Sequence, residues 1–524
     1  MTTNDPTVLE FEPLPGLAPA SLLAGALLVP LGRHRWAWTV ARAASVVALV
    51  LAVASAIAAP WWPSLAVSTL PQQVLLVFVA LLGTVLVGYS ARYLDGEPRS
   101  ATFAGWLLAA LGGAMFVLAT DNLLLLALGW VTASLALQQL LTFCPGRPWA
   151  LIAAREKFLV ARAADLLVMV STVLLASRAG TLHIGELHRL ATTGALGSSE
   201  HWAVLLLAVA ALLKCAQLPF HGWLLRVVES PTPVSALLHA GVVNLGGFVL
   251  LRMAPLLAEV PAAMWLLVVV GGLTASIGAL ASSTQPSVKL ALSWSTVGQM
   301  GFLMVQCGLG LWEMALLHLV AHSAYKAHAF LSAGSTVRRS AADAMARPMG
   351  LADVRSRVLA LATAAGLVLG LALLVVREPL ADPAVLVGAI VLACGLAPLL
   401  EGVAPSARVV GRGLVLAVVC AGIWFALHSV LRPWLGLPVV APASWPLAIT
   451  ALACLAPLAL VRLLVVVAPG HRVAVALHWL CQRGWFVDRW FTRCVFLTFW
   501  LSPFSARSHA VPDLTSASRG RGDL

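Results

Sequence analysis

Charge is what this sequence has least of. Asp, Glu, Lys and Arg make up 10% of its 524 residues, against about 25% in a soluble domain. Hydrophobic residues make up 60%, and the mean hydropathy is +0.94. The scarcity excludes a soluble enzyme and makes the chain a polytopic helical membrane protein. Cysteine is also sparse and unpaired in pattern. The eight cysteines include no C-x-x-C pair and lie mostly in apolar runs, where cysteine acts as a small hydrophobe. This excludes a disulfide framework or a zinc site of the usual spacing. His-Glu-x-x-His is missing as well. The first eleven residues are acidic and lack a basic n-region, so no cleavable signal peptide is expected.

What the chain does have is long apolar runs. Windows of about 20 residues fall near 17–33, 43–60, 74–91, 102–119, 122–142, 158–177, 202–219, 232–251, 264–283, 290–310, 313–334, 357–376, 384–401, 411–431 and 446–468, with a sixteenth candidate near 485–501. The expected fold is all-α, with about 14–16 transmembrane helices in contact with membrane lipid. The net charge of +12 does not point to nucleic acid, because the basic residues cluster in short alternate loops. Arg33, Arg35 and Arg42 lie in one; Arg92 and Arg99, then Arg147, Arg155 and Lys157, then Arg338, Arg339 and Arg347, then Arg408 and Arg412 lie in others. By the positive-inside rule these loops face the cytoplasm and the N-terminus lies outside, as in a bacterial inner membrane. The outside loop 177–201 is polar enough to carry a short helix. The tail from 504 to 524 is rich in Ser, Arg and Gly and reads as disordered.

A charge at membrane depth is costly and therefore usually functional. Lys214 stands in an apolar run five residues before Pro219. Proline removes a backbone hydrogen bond and tends to break a helix. Burial disfavours the charged form of an amine, which suits Lys214 to gain and lose a proton; the competing reading is a lysine reaching the interface. His239 follows Pro231 and Pro233 on the next span. It reads equally as a proton carrier and as a core histidine bonded to a carbonyl. His318, His322 and Lys326 are spaced i, i+4, i+8 and form one polar stripe on a helix. Two histidines four apart also suit a metal, but no acidic or cysteine ligand accompanies them. Arg162 and Asp165 lie three apart and pair on one helix face, which is as consistent with structural charge compensation as with function. Glu229 and Arg226 sit after the broken span, within reach of Lys214. Lys289 opens the tenth span as a relay residue or an interface anchor, and Glu401 is a weak exit candidate.

Together these stretches resemble the antiporter-like family, which includes the proton-pumping membrane subunits of respiratory complex I and the Mrp cation/proton antiporter subunits. The resemblance runs in the family's order from about residue 75 to 340. It rests on Ala119-Thr-Asp121-Asn122, Gly129-Trp130, Arg162-Ala-Ala-Asp165, Lys214-Cys-Ala-Gln-Leu-Pro219, Ser230-Pro-Thr-Pro-Val-Ser-Ala-Leu-Leu-His239, Lys289 to Gly301, and His318-Leu-Val-Ala-His322-Ser-Ala-Tyr-Lys326. It implies two inverted five-helix repeats, each with a broken helix, at 102–251 and 252–402. These would be flanked by N-terminal helices in 1–101 and C-terminal helices in 403–503. It also implies that Lys214 is the central proton-carrying lysine, with His239, His318, His322 and Lys326 as its relay.

Two departures from the family's pattern stand out. The glutamate that usually follows Gly-Trp, as partner of the lysine, is Val131 here. The region matching the second broken helix, Val358–Val376, has neither proline nor lysine. Asp165, Glu156 and Glu229 all remain as replacements for the missing acid. Within the family, Trp130 to Cys144, Ala153 to Phe158 and Gly484-Trp-Phe-Val-Asp488 most resemble the membrane subunits of inorganic-carbon accumulation (DAB) complexes. That resemblance implies a cation-translocating subunit, driven by H+ or Na+, with no catalytic residues or cofactor of its own. It would energise a soluble, zinc-containing, carbonic-anhydrase-like partner of the DabA type on the cytoplasmic face. The alternatives are a pump subunit of a complex I-like or Mrp-type assembly, and a non-conducting membrane anchor.

Overall fold

A computed structural model of the protein describes residues 13–31, 34–61, 69–144, 148–194, 196–335, 354–375, 382–400, 407–431, 443–468, 470–487 and 490–494. The apolar runs form helices in the expected order. The first group is α1 (Pro13–Leu28), α2 (His34–Ala58), α3 (Leu70–Tyr93), α4 (Ser100–Ala119), α5 (Leu123–Leu141) and α6 (Pro148–Ala179). The polar loop after α6 carries α7 (Ile184–Thr192), which buries Ile184, Leu187 and Ala191, a 3–4 spaced stripe. Next come α8 (Ser198–Lys214), α9 (Gly222–Arg226), α10 (Thr232–Ala240), α11 (Leu245–Arg252), α12 (Ala254–Ala258), α13 (Pro261–Ser282), α14 (Val288–Gly308) and α15 (Trp312–Leu331). The last group is α16 (Val354–Val375), α17 (Pro383–Leu400), α18 (Ala407–Ala426), α19 (Trp445–Val467) and α20 (Arg472–Gln482). Among the described residues there is no strand, only an isolated bridge between Asn122 and His183.

Among the described residues, eleven helical segments are long and apolar enough to cross a membrane. The shorter α1 and α8 and the polar-striped α14 and α15 stand beside them. Counting these four brings the total within the expected 14–16. The sixteenth window falls mostly outside the described residues, as do Glu401, the basic loop holding Arg338, Arg339 and Arg347, and the tail 504–524.

Two chain breaks shape the centre. At the first, α8 stops at Lys214 and helix resumes at Gly222, because Pro219 cannot donate to the ladder. Membrane interiors require the freed backbone groups to be bonded elsewhere. Gln217 Nε2 donates to the Cys215 carbonyl at 2.9 Å, and Leu218 N–H donates to Thr274 Oγ1 on α13 at 3.2 Å. The second break separates α10 from α11 at Gly241. There Asn244 Nδ2 donates both to the Ala240 carbonyl at 3.2 Å and to Ser323 Oγ on α15 at 2.6 Å. Pro231 and Pro233 bracket the first residue of α10, where a missing N–H costs nothing.

Glycine lets α13 and α14 cross closely. A Cβ on Gly301 would lie 2.5 Å from the Ala275 nitrogen and 2.6 Å from the Gly271 oxygen. The Gly298–Gly301 stretch of the sequence is thus a helix-contact feature. Asn122 is a cap: its Oδ1 accepts from Leu124 N–H at 2.9 Å and Leu125 N–H at 3.2 Å, opening α5. Asp121 pairs with Arg252 at 2.8 Å, tying the start of α5 to the end of α11. Further along, α16 runs unbroken, consistent with its lack of proline. It packs with α17 and α18 around a separate apolar cluster that includes Ala364, Val368, Ala417 and Phe425.

Candidate functional site

The end of α8 places Lys214 in the interior, 7% exposed, against α5. Its Nζ lies 3.5 Å from the Trp130 carbonyl and 4.2 Å from the centre of the Trp130 ring. Such a cation–π contact is stronger when desolvated. The acid facing it is Asp165 on α6; Glu229 is not among the groups that act on it. Asp165 is itself held by Arg162 at 2.5 Å, so the i, i+3 pair expected on α6 forms.

A second buried lysine joins them. Lys157 reads from the sequence as a loop charge, because the apolar window begins only at 158. In the structure α6 begins at Pro148, and Lys157 is 5% exposed within it. Its Nζ donates to the Ser134 carbonyl at 2.5 Å, with Ser134 Oγ 3.4 Å away. The same Ser134 Oγ accepts from Arg162 at 3.2 Å. Lys157 feels the charges of Lys214, Arg162 and Asp165. Lys157 and Lys214 line one cavity of about 20 Å³ with Ser134, Leu238, Val242 and Val243. That volume has room for one water, which needs roughly 10–15 Å³. Three cations thus surround a single carboxylate among the described residues facing Lys214.

The other acids lie elsewhere. Glu156, fully buried, pairs with Arg226, which also donates to Thr492 Oγ1 at 2.8 Å. Arg226 therefore ties α9 to α6 and to the chain near 492. Glu229 is exposed on the turn beyond α9.

The second group is built on α10, α14 and α15. His239 is fully buried, with Nδ1 3.1 Å from Thr296 Oγ1, Nε2 3.4 Å from Ser293 Oγ, and its ring stacked on Phe330 at 4.3 Å. Lys326, also fully buried, donates to the Leu292 carbonyl at 2.9 Å and to Ser295 Oγ at 2.8 Å on α14. His318 Nδ1 lies 2.8 Å from Gln306 Oε1, and its ring centre is 5.8 Å from that of His322. The buried Nε2 atoms of His318 and His322 have no hydrogen-bond partner among the described residues. The i, i+4, i+8 stripe is therefore real and leads along α15 from His318, which meets Gln306 of α14, to Lys326. Lys289 stays at the edge, donating to Thr232 Oγ1 at 3.2 Å. Among the described residues no three His, Cys, Asp or Glu side chains converge as metal ligands do.

Leu238, Val242 and Val243, on either side of the Gly241 break, form an apolar wall of the cavity that Lys157 and Lys214 line.

Comparison with known proteins follows the same outline. The family model described as NADH:quinone oxidoreductase/Mrp antiporter, transmembrane, matches residues 120–374. This is the stretch that holds both polar groups and both breaks, and over it the chain is similar to that antiporter-like family of membrane subunits. Among its relatives, a probable inorganic carbon transporter subunit DabB from Hydrogenovibrio crunogenus is 42% identical over 333 residues, covering 62% of this chain and 64% of that protein. The subunit named DabB2 from Halothiobacillus neapolitanus is 44% identical over 263 residues, covering 50% of this chain and 48% of that protein. The matches thus span about half to two thirds of these relatives' length. A solved Mrp complex from a Dietzia species shares the fold, with a TM-score of 0.55 and 23% identity, over 96% of this chain and 58% of that one.

Proposed function

We infer that this chain is a proton-translocating membrane subunit, and that it energises inorganic-carbon accumulation by an associated zinc-containing, carbonic-anhydrase-like protein on its cytoplasmic face. The observation that carries the transport part is the set of buried Lys157 and Lys214 with half-buried Arg162 around Asp165, beside a helix break. Excess buried ammonium over carboxylate is expensive, so such a set favours passing a proton on. Asp165 takes the part of the glutamate that Val131 lacks. The α10–α11 break and its apolar wall act as the gate, and His239, Lys326, His322 and His318 carry the proton beyond it. Sodium in place of the proton is the variant of this reading that ion substitution tests.

The carbon-accumulation part is supported by relatives named as probable inorganic carbon transporter subunits. A bacterial inner membrane with the N-terminus outside fits the distribution of basic loops. Lys214→Ala is expected to abolish proton uptake in vesicles and CO2-dependent growth while leaving assembly intact. Unchanged growth and uptake in that variant would leave the chain a membrane anchor. A partner that co-purifies with zinc supports the carbon reading, and iron–sulfur subunits would move the chain to a redox-driven assembly.

A further inference from the structure

One buried ion pair takes no part in the relay just described. Glu313, in the first turn of α15, is 1% exposed, and its Oε1 lies 2.5 Å from Nδ1 of His428, whose side chain is 8% exposed. His428 sits in a π-helical turn, Leu427–Leu431, that follows α18. Single π turns are often found at functional sites. Ionisable groups this deep in a membrane protein are expensive to keep. The second carboxylate oxygen, Oε2, is buried and has no hydrogen-bond partner among the described residues, whereas a purely structural tie would satisfy it there.

The place of the pair matters. Glu313 begins the same helix that carries His318, His322 and Lys326, so the four ionisable positions descend α15 from one membrane face toward the other. Beside them, between α14, α15, α17 and α18, lies a cavity of about 550 Å³ lined by His318, His322, Gln306, Gln299 and Ser295. It is roomy enough, at roughly 30 Å³ per water, and polar enough on the α14–α15 side to be hydrated. Its wall includes Leu311 and Met314, which flank Glu313, and Trp424, whose ring stacks on His428 at 6.0 Å. From α18 the other titratable group facing the cavity is Cys420, and from α15 it is Tyr325; α14 and α17 contribute none among the described residues.

We propose that Glu313 and His428 form a proton-exchange site at the face where α15 begins, linking the aqueous compartment there to His318 through this cavity. The pair passes one proton at a time: His428 Nδ1–H gives its proton to Glu313 Oε1, and the carboxylic acid then releases it toward the cavity, or the reverse. The site supplies a terminal carrier in place of the lysine that α16 lacks. The proposal rests on the proton-transport reading above.

Glu313→Gln tests it, because glutamine keeps an oxygen for the His428 N–H but cannot carry a proton. His428→Asn is the second variant, keeping a polar group near the position of Nδ1. The readout is the initial rate of proton uptake, by a pH-sensitive dye, in membrane vesicles holding the full chain and the proteins that co-purify with it. Measurements from pH 6 to 8 are compared with wild type and Lys214→Ala. At least a tenfold loss of rate with a flattened pH profile, in variants that assemble and melt as wild type does, supports the site. Wild-type rate and profile in Glu313→Gln, with Lys214→Ala inactive, overturns the site and leaves the transport reading standing. Wild-type rates in all variants, Lys214→Ala included, overturn both. If both Glu313→Gln and His428→Asn vanish from the membrane, the pair is a structural tie and the proposal fails.

Discussion

Replacing Asp165 by asparagine removes the only carboxylate facing Lys214 among the described residues while changing the shape of the site little. The magnitude follows from the geometry. The Arg162–Asp165 contact of 2.5 Å joins a side chain 31% exposed to one 8% exposed. It therefore lies between a surface pair, worth about 0–1 kcal/mol, and a fully buried pair, whose breakage costs about 3–5 kcal/mol. A loss of about 3 kcal/mol at most, falling on the protonated lysines, corresponds to roughly a hundredfold at ~1.4 kcal/mol per tenfold. Asp165→Asn is accordingly expected to slow proton uptake in vesicles by up to that factor. Asp165→Glu should hold within severalfold of wild type, because its charge is kept on the same helix face. The Asn variant should remain folded, since Ser134 still accepts hydrogen bonds from Lys157 and Arg162. Uptake at the wild-type rate in Asp165→Asn would refute the assignment and return the choice of acid to Glu156 or an unidentified group.

Three other outcomes are expected. Arg252→Met leaves Asp121 without its 2.8 Å partner at the junction of α5 and α11, and should lower the thermal midpoint in detergent by a loss of about 3 kcal/mol; a midpoint unchanged within error would show the pair to be incidental. Gly301→Ala places a methyl group 2.5 Å from the Ala275 nitrogen, so α13 and α14 must separate at a cost of about 1–3 kcal/mol, read as a lower midpoint or reduced membrane yield. On α7, burial and then the charge of Arg252 hold His188 down from 6.5 to about 4. Between those values the unfolded chain binds the extra proton and the folded one does not. Stability is therefore full above pH 6.5 and falls as the pH drops toward 4, by at most about 3 kcal/mol. His188→Gln should flatten that acid-side slope, and an equally steep slope in the variant would assign it to other groups.

The helices were legible because each span needs a long apolar run, and such runs cannot be disguised in a composition of this kind. The α8 break was legible from Pro219, and the α15 stripe from its i, i+4, i+8 spacing. Lys157 was missed because hydropathy marks where a run becomes apolar, not where a helix begins. Yet its spacing to Asp165, eight residues, equals that from His318 to Lys326, and this would have placed it on the same face. Glu229 looked close to Lys214 in sequence, but the turn after α9 points it outward while Arg226 turns to Glu156. Which acid faces the lysine depends on how α5, α6 and α8 pack, and no local pattern encodes that. The Glu313–His428 pair joins residues 115 apart in sequence, each isolated in an apolar run, and only the fold brings them together.

The apolar wall of the Lys157–Lys214 cavity has, on the proton-transport reading, a consequence for the cell. A channel that conducted at rest would short-circuit the membrane, draining the gradient that every other energised process shares. On the proposed reading, Leu238, Val242 and Val243 insulate one half of the route from the other. Current would then flow only while something works on the joint at Gly241, so the chain on its own should be harmless to its host at high expression, and the cost of each ion crossing would be tied to a productive stroke.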